Sequence, residues 1–150
     1  MRQDYEDKVM KHYTRVAQES GLSASCTMED EYIREGESRA ILRLIELAAK
    51  SAAASLRVLD VGCGNGYTLR TLAERIRDGG LSGSIELLGI EKNHELRQLA
   101  SKMNEGLPVT IAEGDILRAE TLGVSQASVD VCLSQRVIIN LMDPADQKTA

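Results

Sequence analysis

The chain has 150 residues, about one domain's worth, and a globular chain of this size buries roughly 68–70% of the surface its unfolded form exposes. Its content of 43% hydrophobic and 27% charged residues excludes a disordered or collagen-like chain. A net charge of −5 argues against a general nucleic-acid binder, which needs clustered Lys and Arg to displace phosphate counterions. No stretch reaches the length of a membrane span, and the N-terminus Met-Arg-Gln-Asp-Tyr-Glu-Asp lacks the apolar core of a secretory signal.

Taken in chain order, the first fifty residues read as helical. Asp4 to Ser20 places Val9, Tyr13 and Val16 at helical spacing, and Gly21 to Ser25 reads as a loop. Thr27-x-x-Asp30 resembles a capping box. It opens a second helix whose apolar stripe is Ile33, Ala40, Ile41, Leu44, Ile45 and Ala48, with a bend expected at Gly36. From Leu56 the character changes to four runs rich in Val, Ile and Leu: Arg57–Val61, Ile85–Ile90, Val109–Ala112 and Val129–Leu133. Such continuously apolar runs suit parallel strands covered on both faces. Helical patterns at Leu69, Leu72, Ala73 and Ile76, and at Leu96, Leu99, Ala100 and Met103, separate the first three. Strands alternating with helices predict an α/β, Rossmann-like, doubly wound and mostly parallel sheet. Residues 1–52 form an N-terminal helical cap in this reading, and 53–150 the core.

In a doubly wound sheet, ligands bind outside the carboxyl ends of the strands, so the residues after each strand carry the chemistry. The first strand leads into Asp60-Val61-Gly62-Cys63-Gly64-Asn65-Gly66. Glycine tolerates a positive φ and lets a ligand approach the backbone, and the following helix aims its N-terminal dipole at the same space. This is G-x-G-x-G after an acid, not the G-x-G-x-x-G of dinucleotide sites. Asp60 suits a ligand with an ammonium as well as a carboxylate, and would sit awkwardly beside a pyrophosphate. Glu91 ends the second strand, 25 positions beyond Gly66, where a carboxylate can accept from a ribose diol. Asp115 and Ile116 follow the third strand and suit an adenine amino group and ring face. Ser134 follows the fourth.

The segments VLDVGCGNG, LLGIE, AEGDIL and VDVCLSQRVIINL, in this order over Arg57 to Leu141, resemble the class I (Rossmann-like) S-adenosylmethionine-dependent methyltransferases. Within them the chain is similar to the small-molecule methyltransferase group. The resemblance implies methyl transfer from S-adenosylmethionine to a small-molecule acceptor. It places Asp60, Gly62 and Gly64 around the methionine part, Glu91 on the ribose, Asp115 and Ile116 on adenine, and Ser134 near the methionine amine. It identifies no general base. Family domains usually carry about seven strands, so the chain reads as truncated after the fourth, with C-terminal strands absent; a homo-oligomer or a completing chain is the partner this reading allows.

Two other readings stand beside this one: a nicotinamide-dependent oxidoreductase, which the glycine spacing disfavours, and a non-catalytic cofactor-binding or assembly subunit. Cys26, Cys63 and Cys132 are odd in number and far apart, which suits reduced thiols in a cytoplasmic protein; Cys63 and Cys132 are expected as small buried hydrophobes. His12 and His94 lack metal-ligand spacing, so no metal site is expected.

Overall fold

A computed structural model describes residues 2–28, 30–51, 55–79 and 84–150. Helices α1 (Arg2–Ser20) and α2 (Glu31–Ser51) precede an alternating series: β1 (Ser55–Val61), α3 (Tyr67–Gly79), β2 (Ser84–Glu91), α4 (His94–Met103), β3 (Val109–Glu113) and β4 (Val131–Leu133). A short α5 (Pro144–Thr149) follows. The four strands form one sheet in the order β3-β2-β1-β4, and every pairing is parallel. The fold is therefore the Rossmann-like α/β sheet that the strand–helix alternation predicts. Among the described residues no helix is long and apolar enough to cross a membrane.

Local chemistry moves three of the expected boundaries or faces. The α2 cap is Asp30, whose Oδ1 accepts from Ile33 N at 3.0 Å; Thr27 lies outside the helix, so the capping box is not formed. The helix runs unbroken through Gly36. Strand β4 begins at Val131, not Val129, because Asp130 engages Arg57 twice. Its backbone N–H donates to Arg57 O (2.9 Å) and its Oδ2 accepts from Arg57 N (2.7 Å), so a side chain stands in for a ladder bond. Cys63 is buried, whereas Cys132, on edge strand β4, is exposed.

The face that α2 buries also differs from the expected stripe. Arg34, Ser38, Ile41 and Ile45 are buried, while Ile33 and Leu44 are more than half exposed. Positions 34, 38, 41 and 45 follow the i, i+4, i+7, i+11 register of one helix face, and hydropathy alone turns Arg34 and Ser38 outward. Ile41 and Ile45 join Leu56, Val58, Leu69, Leu72, Leu87, Ala100 and Leu133 in the main core. Ile45→Ala is expected to cost about 2–5 kcal/mol, and Leu44→Ala about 0.5 kcal/mol or less. Urea unfolding of the two variants checks the difference.

Candidate functional site

The carboxyl ends of the strands open on a cavity of about 570 Å³. Asp60, Gly62, Gly64, Glu91, Asp115 and Ile116 all line it. Ser134 does not: it is exposed, and its neighbour Gln135 lines the cavity instead.

The glycine turn after β1 is pinned to β2. Gly62 N and Cys63 N both donate to Ile90 O, at 2.7 and 3.1 Å, and Gly64 N donates to Glu91 Oε2 at 2.9 Å. These amides are therefore engaged inside the protein and are not free to cradle an anion. Gly62 has φ +76, and a Cβ there would fall 2.1 Å from Val137 Cγ2, so the turn needs glycine both for conformation and for space. The other Glu91 oxygen accepts from Asn93 N at 2.8 Å. Burial raises the Glu91 carboxyl, and these backbone donors partly offset the rise. Each oxygen still keeps a lone pair.

Asp60 lies at the centre, 2% exposed, and its Oδ1 has no hydrogen-bond partner. Burial, reinforced by the charge of Glu91 and opposed by Arg34, pushes its carboxyl up to about 7. Arg34 reaches this place from α2, also buried. Its guanidinium lies 4.6 Å from the Tyr67 ring centroid, within cation–π range. Nη1 donates to Ala24 O and Nη2 to Thr27 Oγ1 at 3.3 Å, while Nε has no partner. Gln135 Nε2 is likewise buried and unpartnered. Sequence reasoning missed both Arg34 and Gln135; for Arg34 the available signal was its register with Ile41 and Ile45.

Asp115 is already engaged. Its Oδ2 meets Lys92 Nζ at 2.8 Å and Arg118 Nε at 3.6 Å, and Oδ1 accepts from Leu117 N at 3.1 Å. Burial alone would raise this carboxyl, but the hydrogen bonds from Lys92 and Leu117 outweigh it and hold it low. The rest of the lining is mixed: Glu6, Val9, Met10 and Tyr13 come from α1, and Asn140, Leu141, Met142 and Asp143 from the segment after β4. Among the described residues no group of three or more His, Cys, Asp or Glu side chains is placed to hold a metal ion.

A parallel sheet with a cavity across its strand ends defines a Rossmann-like ligand-binding domain. The family described as "Methyltransferase domain" matches residues 58–150, and the chain belongs to it. An uncharacterized 37.1 kDa protein in a transposon of Streptomyces fradiae is 33% identical over 102 residues, which are 67% of this chain and 27% of that protein. Among solved structures, a SAM-dependent methyltransferase from Leishmania major has a TM-score of 0.64 at 17% identity, with 91% of this chain and 51% of that chain covered. A SAM-bound amino pentose methyltransferase of calicheamicin biosynthesis from Micromonospora echinaspora has a TM-score of 0.58 at 23% identity, with 76% and 42% covered. The magnesium protoporphyrin IX methyltransferase of Synechocystis PCC 6803, with bound SAH, gives 0.54 at 15% identity, with 92% and 57% covered. The chain thus spans about a quarter of the length of that curated relative and about half that of these structures.

Proposed function

We propose that the chain binds S-adenosylmethionine in this cavity and serves methyl transfer to a small-molecule acceptor. The observation that carries the reading is that three buried polar atoms of cavity-lining residues are left without partners. Arg34 Nε and Gln135 Nε2 are donors, and Asp60 Oδ1 is an acceptor; all three residues line the cavity. A buried unpaired polar atom costs about 1–3 kcal/mol, so the site is complementary to a ligand bringing both a carboxylate and an ammonium. The volume of about 570 Å³ falls within the roughly 300–1,000 Å³ usual for small-molecule sites.

In this reading Asp60 takes the ammonium, Arg34 and Gln135 the carboxylate, and the remaining Glu91 lone pairs the ribose diol. Gly62 and Gly64 line the cavity beside the methionine part. Ile116 packs on adenine, and Asp115 accepts from its amino group while sharing its charge with Lys92. Ser134, expected near the methionine amine, is exposed and takes no part, while its neighbour Gln135 faces the carboxylate. When bound, the cofactor supplies a methyl group on a positively charged sulfur that leaves as a neutral thioether. The protein's task is then alignment of the acceptor and exclusion of water. The unpaired cysteines support a cytoplasmic location.

The nicotinamide reading loses ground on the same geometry. A pyrophosphate would face the carboxylates of Asp60 and Glu91, and the Gly62, Cys63 and Gly64 amides are already donating elsewhere. Calorimetric titration tests the proposal: saturable one-site binding is expected for S-adenosylmethionine and S-adenosylhomocysteine and none for NADH. Heat from NADH alone would overturn it.

A further inference from the structure

We propose that the hydrogen bond between Tyr13 and Asn140 is a clasp that holds α1 across the cavity and slows ligand exchange. The exchange half of this inference rests on the cavity being an S-adenosylmethionine site. Two consecutive residues of α1 grip opposite sides of the opening. On one side, Thr14 Oγ1 accepts from Asn93 Nδ2 at 2.9 Å and donates to Glu95 Oε2 at 3.3 Å. Asn93 Nδ2 also reaches Met10 O at 3.3 Å, and the same residue donates its backbone N–H to Glu91. On the other side, 127 positions along the chain, Asn140 Nδ2 donates to the Tyr13 hydroxyl at 2.8 Å.

Asn140 is a coupling point, because its Nδ2 also donates to Arg136 O at 2.9 Å. Arg136 has φ +61, a left-handed conformation uncommon for a residue with a side chain. One amide group therefore holds both α1 and the strained turn that carries Gln135 and Val137 into the cavity. Little core packing opposes the opening of α1. Of its residues with described exposure, Ala17 alone is fully buried, while Tyr5, Val9 and Met10 line the cavity. Gly21, with φ +52, turns the chain away from the end of α1.

Tyr13→Phe keeps the ring that packs near Ala17, Cys26 and Leu96 and deletes only the hydroxyl. The clasp is formed in the ligand-free chain, so losing it should ease opening whether the cavity is empty or filled. Stopped-flow measurement with S-adenosylhomocysteine should show association and dissociation both faster by about five- to ten-fold, the equivalent of one neutral hydrogen bond, with Kd changed less than about two-fold. Asn140→Ala, which also releases Arg136 O and the turn carrying Gln135, should accelerate both rates at least as much and weaken binding besides, and adding Tyr13→Phe to it should bring no further acceleration. Rates unchanged in both single variants, or a Kd shift in Tyr13→Phe arising from dissociation alone, would overturn the clasp, the latter marking Tyr13 as a ligand contact. Hydrogen exchange in the ligand-free chain separates the two readings. Residues 5–16 should exchange about five- to ten-fold faster in Tyr13→Phe whether or not S-adenosylhomocysteine binds. Unaltered exchange sinks the clasp; faster exchange in a chain that binds no S-adenosylhomocysteine sinks the cofactor reading.

Discussion

Asp60→Asn is expected to weaken S-adenosylhomocysteine binding about 30- to 1,000-fold at pH 8, as removal of one side of a buried charged hydrogen bond costs about 2–4 kcal/mol. The replacement keeps the shape of the side chain and deletes the charge that would face the ligand ammonium. The pH dependence gives a second, independent reading. The folded-state carboxyl of Asp60 lies at about 7, against about 3.9 in an unfolded chain. The folded state therefore holds this proton more tightly. Its contribution to stability is full below about pH 4 and is lost as pH rises through about 7. The ligand-free parent should lose thermal stability between pH 5 and pH 8, and Asp60→Asn should lose less of it. The burial-raised Glu91 carboxyl acts with the same sign and accounts for a remainder. Binding should run the other way in the parent: an ammonium needs Asp60 ionised, so affinity rises from pH 6 to 8 and the rise is blunted in Asp60→Asn. Calorimetric titration across that range checks both. An Asp60→Asn variant that binds within two-fold of the parent removes Asp60 from the ligand's contacts.

The parts of this site that could be read from the sequence are those where one residue type has one physical reason to be present. A glycine turn after an apolar run, then acids at successive strand ends, gave Asp60, Gly62, Gly64, Glu91, Asp115 and Ile116, and the structure brings all six to one cavity. The alternation of strands and helices gave the parallel sheet for the same reason, since each period is enforced by burial. What escaped was set by neighbours distant in the chain. Arg34 is charged and so reads as solvent-facing, yet its partners, Ala24, Thr27 and the Tyr67 ring, come from a loop and another helix. The amides of the glycine turn are engaged by Ile90 and Glu91, a pairing that exists only once β1 and β2 lie side by side. Ser134 and Gln135 are adjacent, and hydropathy has no means of telling which faces inward at a strand end three residues long.

Gly66→Ala is expected to destabilise the fold by about 2–5 kcal/mol, from a left-handed backbone costing about 1–2 kcal/mol and overpacking costing about 1–3 kcal/mol. Gly66 has φ +79, and an added Cβ would lie 2.5 Å from Asn104 Nδ2, 2.9 Å from Ala100 Cα and 3.0 Å from Ala100 Cβ. Asn104 Nδ2 ties the turn to α4 by donating to Gly66 O at 3.1 Å and Ala100 O at 2.9 Å. At about 2–4 °C per kcal/mol for a domain of this size, thermal unfolding should begin roughly 5–15 °C lower. Gly62→Ala offers the contrast. Its φ of +76 carries similar backbone strain, but the atom it meets is Val137 Cγ2, a side chain on the partly exposed segment after β4. Gly62→Ala should therefore be partly rescued by Val137→Ala. Gly66→Ala should not be rescued by Asn104→Ala, because the backbone of α4 at Ala100 still stands in the way and the tie to Gly66 O is lost as well. A Gly66→Ala protein melting within 2 °C of the parent would mean that the glycine turn and α4 are not packed against each other as closely as these distances require.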